Sequence, residues 1–92
     1  MMTVTNSDRA EWARNAVNLF GVETYCGRSF DNDLAQYKPG EDTTDSGAYT
    51  MIQDLIGDLL HLTVATGWDP VGLLRKAKSS FDYENSPGYE GD

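Results

Sequence analysis

The tetrapeptide Gly67-Trp68-Asp69-Pro70 constrains this chain more than any other feature. Proline has no N–H to give and breaks a helix interior, yet it is favoured at the first helical position, where that N–H has no partner anyway. Asp69 just before it is a strong N-cap, and Gly67 is a natural helix stop. The four residues therefore divide residues 46–81 into two helices joined by a tight turn. Trp68 ahead of the cap and Leu73 four residues into the second helix suit a hydrophobic staple across that turn.

The helix before the turn is expected over about 46–66, with Asp45 or Ser46 as its N-cap. At 100° per residue, Ile52, Leu55, Ile56, Leu59, Leu62 and Thr63 fall on one broad apolar side, widened by Leu60 and Val64. Asp54, Asp58 and His61 fall within an arc of roughly 60° on the opposite side. So wide an apolar arc must be covered from more than one direction. The helix after the turn, about 70–84, is expected to bury Val71, Leu74, Ala77 and Phe81. It would turn Arg75, Lys76 and Lys78 outward, where cations complement the C-terminal end of the helix dipole.

Upstream, Asp8 and Glu11 have capping-box spacing. Ala13, Ala16 or Val17, and Phe20 recur at helical intervals, so a first helix is expected over about 7–21, with Gly21 as its stop. Residues 1–6 read as frayed. Val22 to Phe30 reads as an extended connector or a continuation of that helix, with Tyr25 and Phe30 on the core. Residues 31–47 carry turn chemistry, including Pro39-Gly40, and read as a long acidic loop. The expected architecture is all-α: one domain over residues 1–84 with three main helices, followed by a disordered tail at 85–92.

With 92 residues, the chain has room for only a modest core. It has one cysteine, Cys26, expected as a small, partly buried thiol, so no disulfide can close within the chain. The start of the sequence lacks a basic region and an apolar run, and no stretch approaches the roughly 20 apolar residues that span a bilayer. A cytoplasmic location is the expectation. Net charge is −8, which disfavours direct binding to nucleic acid or to an anionic membrane and favours a basic partner. The charge is concentrated: between residues 29 and 58 seven carboxylates face one lysine, a net −6, whereas residues 1–28 are neutral and 59–78 are net +2.

Two groups of residues invite a functional reading. Asp54, Asp58 and His61, spaced by four and three, share one helix face and are acceptable ligands for Mg²⁺, Mn²⁺ or Zn²⁺, provided a second helix completes the set. Asp31, Asp33, Glu41, Asp42 and Asp45, extended by Asp54 and Asp58, form the alternative: an acidic surface for a basic partner. Nucleophile elbows, phosphate-binding glycine loops and paired-cysteine motifs are absent from the sequence. The Glu41–Asp45 run lacks the ligand spacing of an EF-hand.

The segment I-G-D-L-L-H-L-T-V-A-T-G-W-D-P-V-G-L-L-R-K-A-K-S-S-F-D-Y-E, within residues 52–84, resembles small, mostly uncharacterised helical accessory proteins of phages, prophages and plasmids. Within it, Ile56-Gly57-Asp58-Leu59-Leu60 followed by Gly67-Trp68-Asp69-Pro70 resembles the C-terminal half of MazG-type nucleotide pyrophosphohydrolases. That family holds Mg²⁺ between acidic pairs on neighbouring helices of an all-α fold. Asp58 matches the aspartate of its second acidic motif. The glutamate position three residues earlier is Leu55, with Asp54 the nearest acid, and the first motif, E-x-x-E, has no counterpart in residues 7–25.

The expected function is therefore binding without catalysis or cofactor. The mobile-element resemblance implies an inhibitor of a host defence protein that handles nucleic acid, anti-CRISPR or anti-restriction-like, acting by acidic mimicry of nucleic acid. A degenerate Mg²⁺-dependent pyrophosphohydrolase is the first alternative. A homodimeric regulatory or structural module, built on the wide face of the second helix, is the other.

Overall fold

The computed structural model describes residues 4–88. Four helices make up the chain: α1 (Asn6–Thr24), α2 (Phe30–Leu34), α3 (Gly47–Ala65) and α4 (Pro70–Glu84). No strand occurs among the described residues. The all-α expectation and the two long helices around the Gly67 turn are therefore observed, and α4 has the bounds read from the sequence.

Local chemistry explains most of the boundaries. In α4, Oδ1 of Asp69 accepts from the N–H of Val71 at 3.1 Å and Oδ2 from that of Gly72 at 3.2 Å, with Pro70 at the first position. Trp68 and Leu73 line one shallow depression beside that cap, as a staple would place them. Ser46 caps α3 by accepting from the N–H of Tyr49 at 3.1 Å.

The start of α1 differs from expectation. Thr5, not Asp8, is the N-cap, and Asp8 is the third helical residue that returns the bond. Oγ1 of Thr5 accepts from the N–H of Asp8, while Oδ2 of Asp8 accepts from the N–H of Thr5. The box sits one turn earlier than the Asp8/Glu11 spacing implied. Thr5 and Asn6 are thereby fixed, and Met1–Thr3 lie outside the described residues.

Gly21 does not stop α1. It is a buried helical residue, and α1 runs on to Thr24, where Cys26 (φ 54°) and Gly27 (φ 85°) turn the chain through left-handed backbone. What Gly21 supplies is closeness. A Cβ there would lie 2.6 Å from the carbonyl oxygen of Arg28 and 2.9 Å from Sδ of Met51. Helix α2, one and a half turns inside the expected acidic loop, is capped by Ser29, whose Oγ accepts from the N–H of Asn32 at 3.1 Å. Cys26 is exposed instead of partly buried.

The core forms where α1, α2 and the first half of α3 meet. Its fully enclosed apolar members are Val17, Ala48 and Met51. The expected inner face of α3 is largely bare: Ile52 is 44% exposed, Ile56 47% and Leu59 50%. The reason is angular. α1 meets α3 along the flank of Met51 and Asp54, about 100° or more around the helix from Ile52, so the centre of the apolar arc is left open.

α4 departs further from expectation. Val71, Leu74 and Phe81, the stripe expected to be buried, are exposed, and α4 has no buried residue. Its far end does return to the chain. Arg9 Nε lies 2.9 Å from Glu84 Oε2, and Asn6 Nδ2 donates to the Glu84 carbonyl at 2.8 Å. Asn85 closes the helix, and residues 89–92 of the expected tail lie outside the described residues.

Candidate binding surface and groove

The acidic residues singled out in the sequence separate into four environments. Asp33 belongs to none of the exposed ones. It is 3% exposed and receives a two-pronged contact from Arg28, Nε to Oδ1 at 3.1 Å and Nη2 to Oδ2 at 2.6 Å. The pair lies against the first turn of α3 at Gly47, where a Cβ would overlap Oδ2 of Asp33 and stand 3.0 Å from Nη2 of Arg28. Asp33 is therefore a buried anchor that fastens α2 to α3, and the expectation of a partner contact there is corrected. A buried carboxylate keeps its charge only with such a partner.

Asp31 is exposed but occupied. Its Oδ2 accepts from Asn18 Nδ2 at 2.9 Å, its N–H donates to Asn18 Oδ1 at 2.9 Å, and Arg14 Nε is 3.5 Å from Oδ1. The Arg14 guanidinium also stands 5.9 Å from the centre of the Phe30 ring. These contacts seat α2 on α1.

Glu41, Asp42, Asp45 and Asp58 are exposed and take part in no ion pair among the described residues. Glu41 Oε1 accepts from the N–H of Lys38 at 2.6 Å. Asp42 folds back on the chain in an Asx turn, accepting from the Thr44 N–H at 2.9 Å and the Thr44 hydroxyl at 2.8 Å. Those bonds, the backbone one foremost, hold its carboxyl below the usual aspartate range. Ser46 Oγ donates to the Thr43 carbonyl at 2.6 Å. The loop is shaped by its own short-range bonds, which leave its carboxylates turned to solvent.

Asp54, Asp58 and His61 do come together, as one wall of an open groove of about 650 Å³ between α1 and α3. Gln53 and Gly57 complete that wall, and Phe20, Thr24 and Tyr25 form the other. The Tyr25 hydroxyl donates to Oδ2 of Asp54 across the groove. That bond first, then partial desolvation and the nearby charge of Asp54, raises the phenol to about 12. The rings of Phe20 and Tyr25 stand 6.5 Å apart and tilted, so the α1 wall is largely aromatic.

A divalent cation is poorly matched to this arrangement. α3 offers two carboxylates and an imidazole, one carboxylate already holding a phenol. The facing wall offers a hydroxyl, a phenol and a phenyl ring, with no second acidic pair. Among the described residues no group of three or more His, Cys, Asp or Glu side chains is placed to hold a metal ion. The sequence signal was real in bringing the three residues to one face. It could not show that an aromatic strip would face them.

No family model, curated protein or solved structure matches the chain. No described helix is long and apolar enough to cross a membrane.

Proposed function

We propose that this protein works by binding, presenting carboxylates to a basic surface of a protein that itself handles nucleic acid. One observation carries the reading. Among the described residues, the segment with net charge −6 keeps Glu41, Asp42 and Asp45 exposed and in no ion pair, on a loop that its own hydrogen bonds hold in shape, with Asp58 likewise exposed on α3. A shaped loop loses less conformational entropy on association than a floppy one. Asp33 is excluded from the contact set, Asp31 serves α2, and Asp54 contributes through the groove, where the Phe20 and Tyr25 rings could flank a lysine or arginine inserted beside Asp58. The resemblance to helical accessory proteins of mobile elements makes an inhibitor of a host defence protein, anti-CRISPR or anti-restriction-like, the concrete form of the proposal.

Affinity purification with the immobilised full chain tests it. Captured proteins should be basic and should elute as salt rises. The triple variant Glu41→Lys, Asp42→Lys, Asp45→Lys should lose them. Capture that is indifferent to the triple reversal ends the proposal. The hydrolase reading makes a separate demand: Mg²⁺ or Mn²⁺ must raise the melting temperature, and hydrolysis of a nucleoside triphosphate must vanish in Asp58→Ala.

A further inference from the structure

We propose that the groove between α1 and α3 binds a guanidinium, the head of an arginine side chain presented by the basic partner. Where that arginine comes from rests on the acidic-surface reading above; the shape and chemistry of the groove do not. Gly57 gives the first indication. A glycine inside a helix is less stable there than alanine, and it is kept where a turn or the close approach of another group requires it. Neither reason is met within the chain. The Gly57 backbone is helical, and a Cβ on it would find no atom within 4 Å. By helical spacing its neighbours on α3 are Gln53, Asp54 and His61. Gly57 is therefore a notch in the α3 wall of the groove, open to a group from outside.

The side chains around the notch suit a flat cation. Among the described residues, those of Gln53, Asp58 and His61 take part in no hydrogen bond or ion pair. Asp54 accepts the Tyr25 hydroxyl on Oδ2, which orients the carboxylate and leaves Oδ1 for a ligand. Opposite stand the half-buried rings of Phe20 and Tyr25, tilted by 56° to each other. Carboxylates thus line one wall and aromatic rings the other. Guanidinium uses both, since its N–H groups form a planar fork for carboxylates and its face stacks on rings. It is also weakly hydrated, so an open groove can take it out of water at small cost. A lysine ammonium, compact and strongly hydrated, gains little from the rings. A divalent cation would need acidic ligands that the α1 wall of Phe20, Thr24 and Tyr25 lacks. The chain's own Arg28, whose charge reaches Tyr25, is committed to Asp33 by two bonds and leaves the groove to another arginine.

Chemical-shift titration of the full chain with N-acetyl-arginine amide tests the site with no protein partner present. Resonances of Tyr25, Gly57, Asp58 and His61 should shift saturably, and N-acetyl-lysine amide should bind about fivefold more weakly. Asp58→Asn should weaken the arginine probe about fivefold. Gly57→Leu should fill the notch and abolish binding while helicity and melting temperature stay at or above wild type, because leucine favours helix. No saturable shift overturns the proposal, as do equal binding of the lysine probe, full affinity in Asp58→Asn, or binding that survives a folded Gly57→Leu. Failed capture of a basic protein beside a successful titration ends the acidic-surface reading and leaves the groove a guanidinium site. A failed titration beside successful capture ends the groove's role alone.

Discussion

The two ends of α3 teach different lessons about how a short chain finishes itself. Around its first turns the chain is closed. Met51 is fully buried against Gly21, Arg28 and Asp33 lock α2 in place, and Ser46 and Gly47 let these parts approach. Beyond Leu55 the same helix buries Thr63 alone, and α4 after it buries no residue, although both have sound caps and turns. Both regions are helical for local reasons. The first is also held by a buried core, whereas α4 meets α1 at its far end through the Arg9–Glu84 pair and the Asn6 bond, and most helix stability in proteins comes from tertiary contacts. The closed corner uses small residues and one buried ion pair to build a core from few atoms. The open hairpin carries larger apolar side chains and leaves them in solvent.

Core truncation should separate the regions most widely. Met51→Ala removes a fully enclosed side chain and should cost about 3 kcal/mol, read from urea unfolding. Leu74→Ala, the same chemistry on α4, should change monomer stability by no more than about 0.5 kcal/mol. Should the Leu74 variant also lose stability in a manner that grows with protein concentration, the open face is being covered by association.

Asp33→Ala probes the anchor and should cost about 2–3 kcal/mol, near the lower end for a broken buried pair, because the Arg28 side chain left behind is 56% exposed and can be hydrated. Gly47→Ala attacks the same corner from the other side. Its new methyl would overlap Oδ2 of Asp33, a group pinned by two bonds, so a loss of about 1–3 kcal/mol is expected despite the helix-favouring character of alanine. Calorimetry of the two variants should show similar falls in melting temperature. A neutral Gly47→Ala would mean that the corner is looser than its distances imply.

How much of this was legible in the sequence follows the range of each interaction. The Gly67–Pro70 turn, the Asp69 cap and the start of α3 depend on residues two or three apart, and they were readable. Asp54, Asp58 and His61 were placed on one face correctly, because helical spacing alone decides that. The burial of Asp33 was not readable, since it depends on the first turn of α3, fourteen residues on at Gly47, closing over the Arg28–Asp33 pair. Gly21 was misread for a related reason: an internal glycine that admits Met51 looks like a stop until the second helix is in view. The exposure of Val71, Leu74 and Phe81 runs the other way. Their periodicity announces a buried stripe, and it cannot say whether the cover comes from the same chain.

The smallest expected effect lies in the groove, at the contact between the two regions. Tyr25 donates to Asp54, and that bond raises the phenol from 10.0 to about 12 in the folded chain. The folded state therefore holds this proton where the unfolded chain releases it. The stabilisation is complete below pH 10, the unfolded value, and it drains away as pH climbs through about 12. Tyr25 sits at the protein surface, where solvent screens the interaction, so the effect on stability should be small. Tyrosinate absorbance should show a late step from Tyr25, and Asp54→Asn should return it toward the ordinary range. Tyr25→Phe should remove that late step and slightly flatten the alkaline fall in melting temperature. Were no late step to appear in the wild type, α1 would not be clasping α3 at this point. The groove between Phe20 and His61 would then widen, making the open half of the molecule larger at the expense of the closed one.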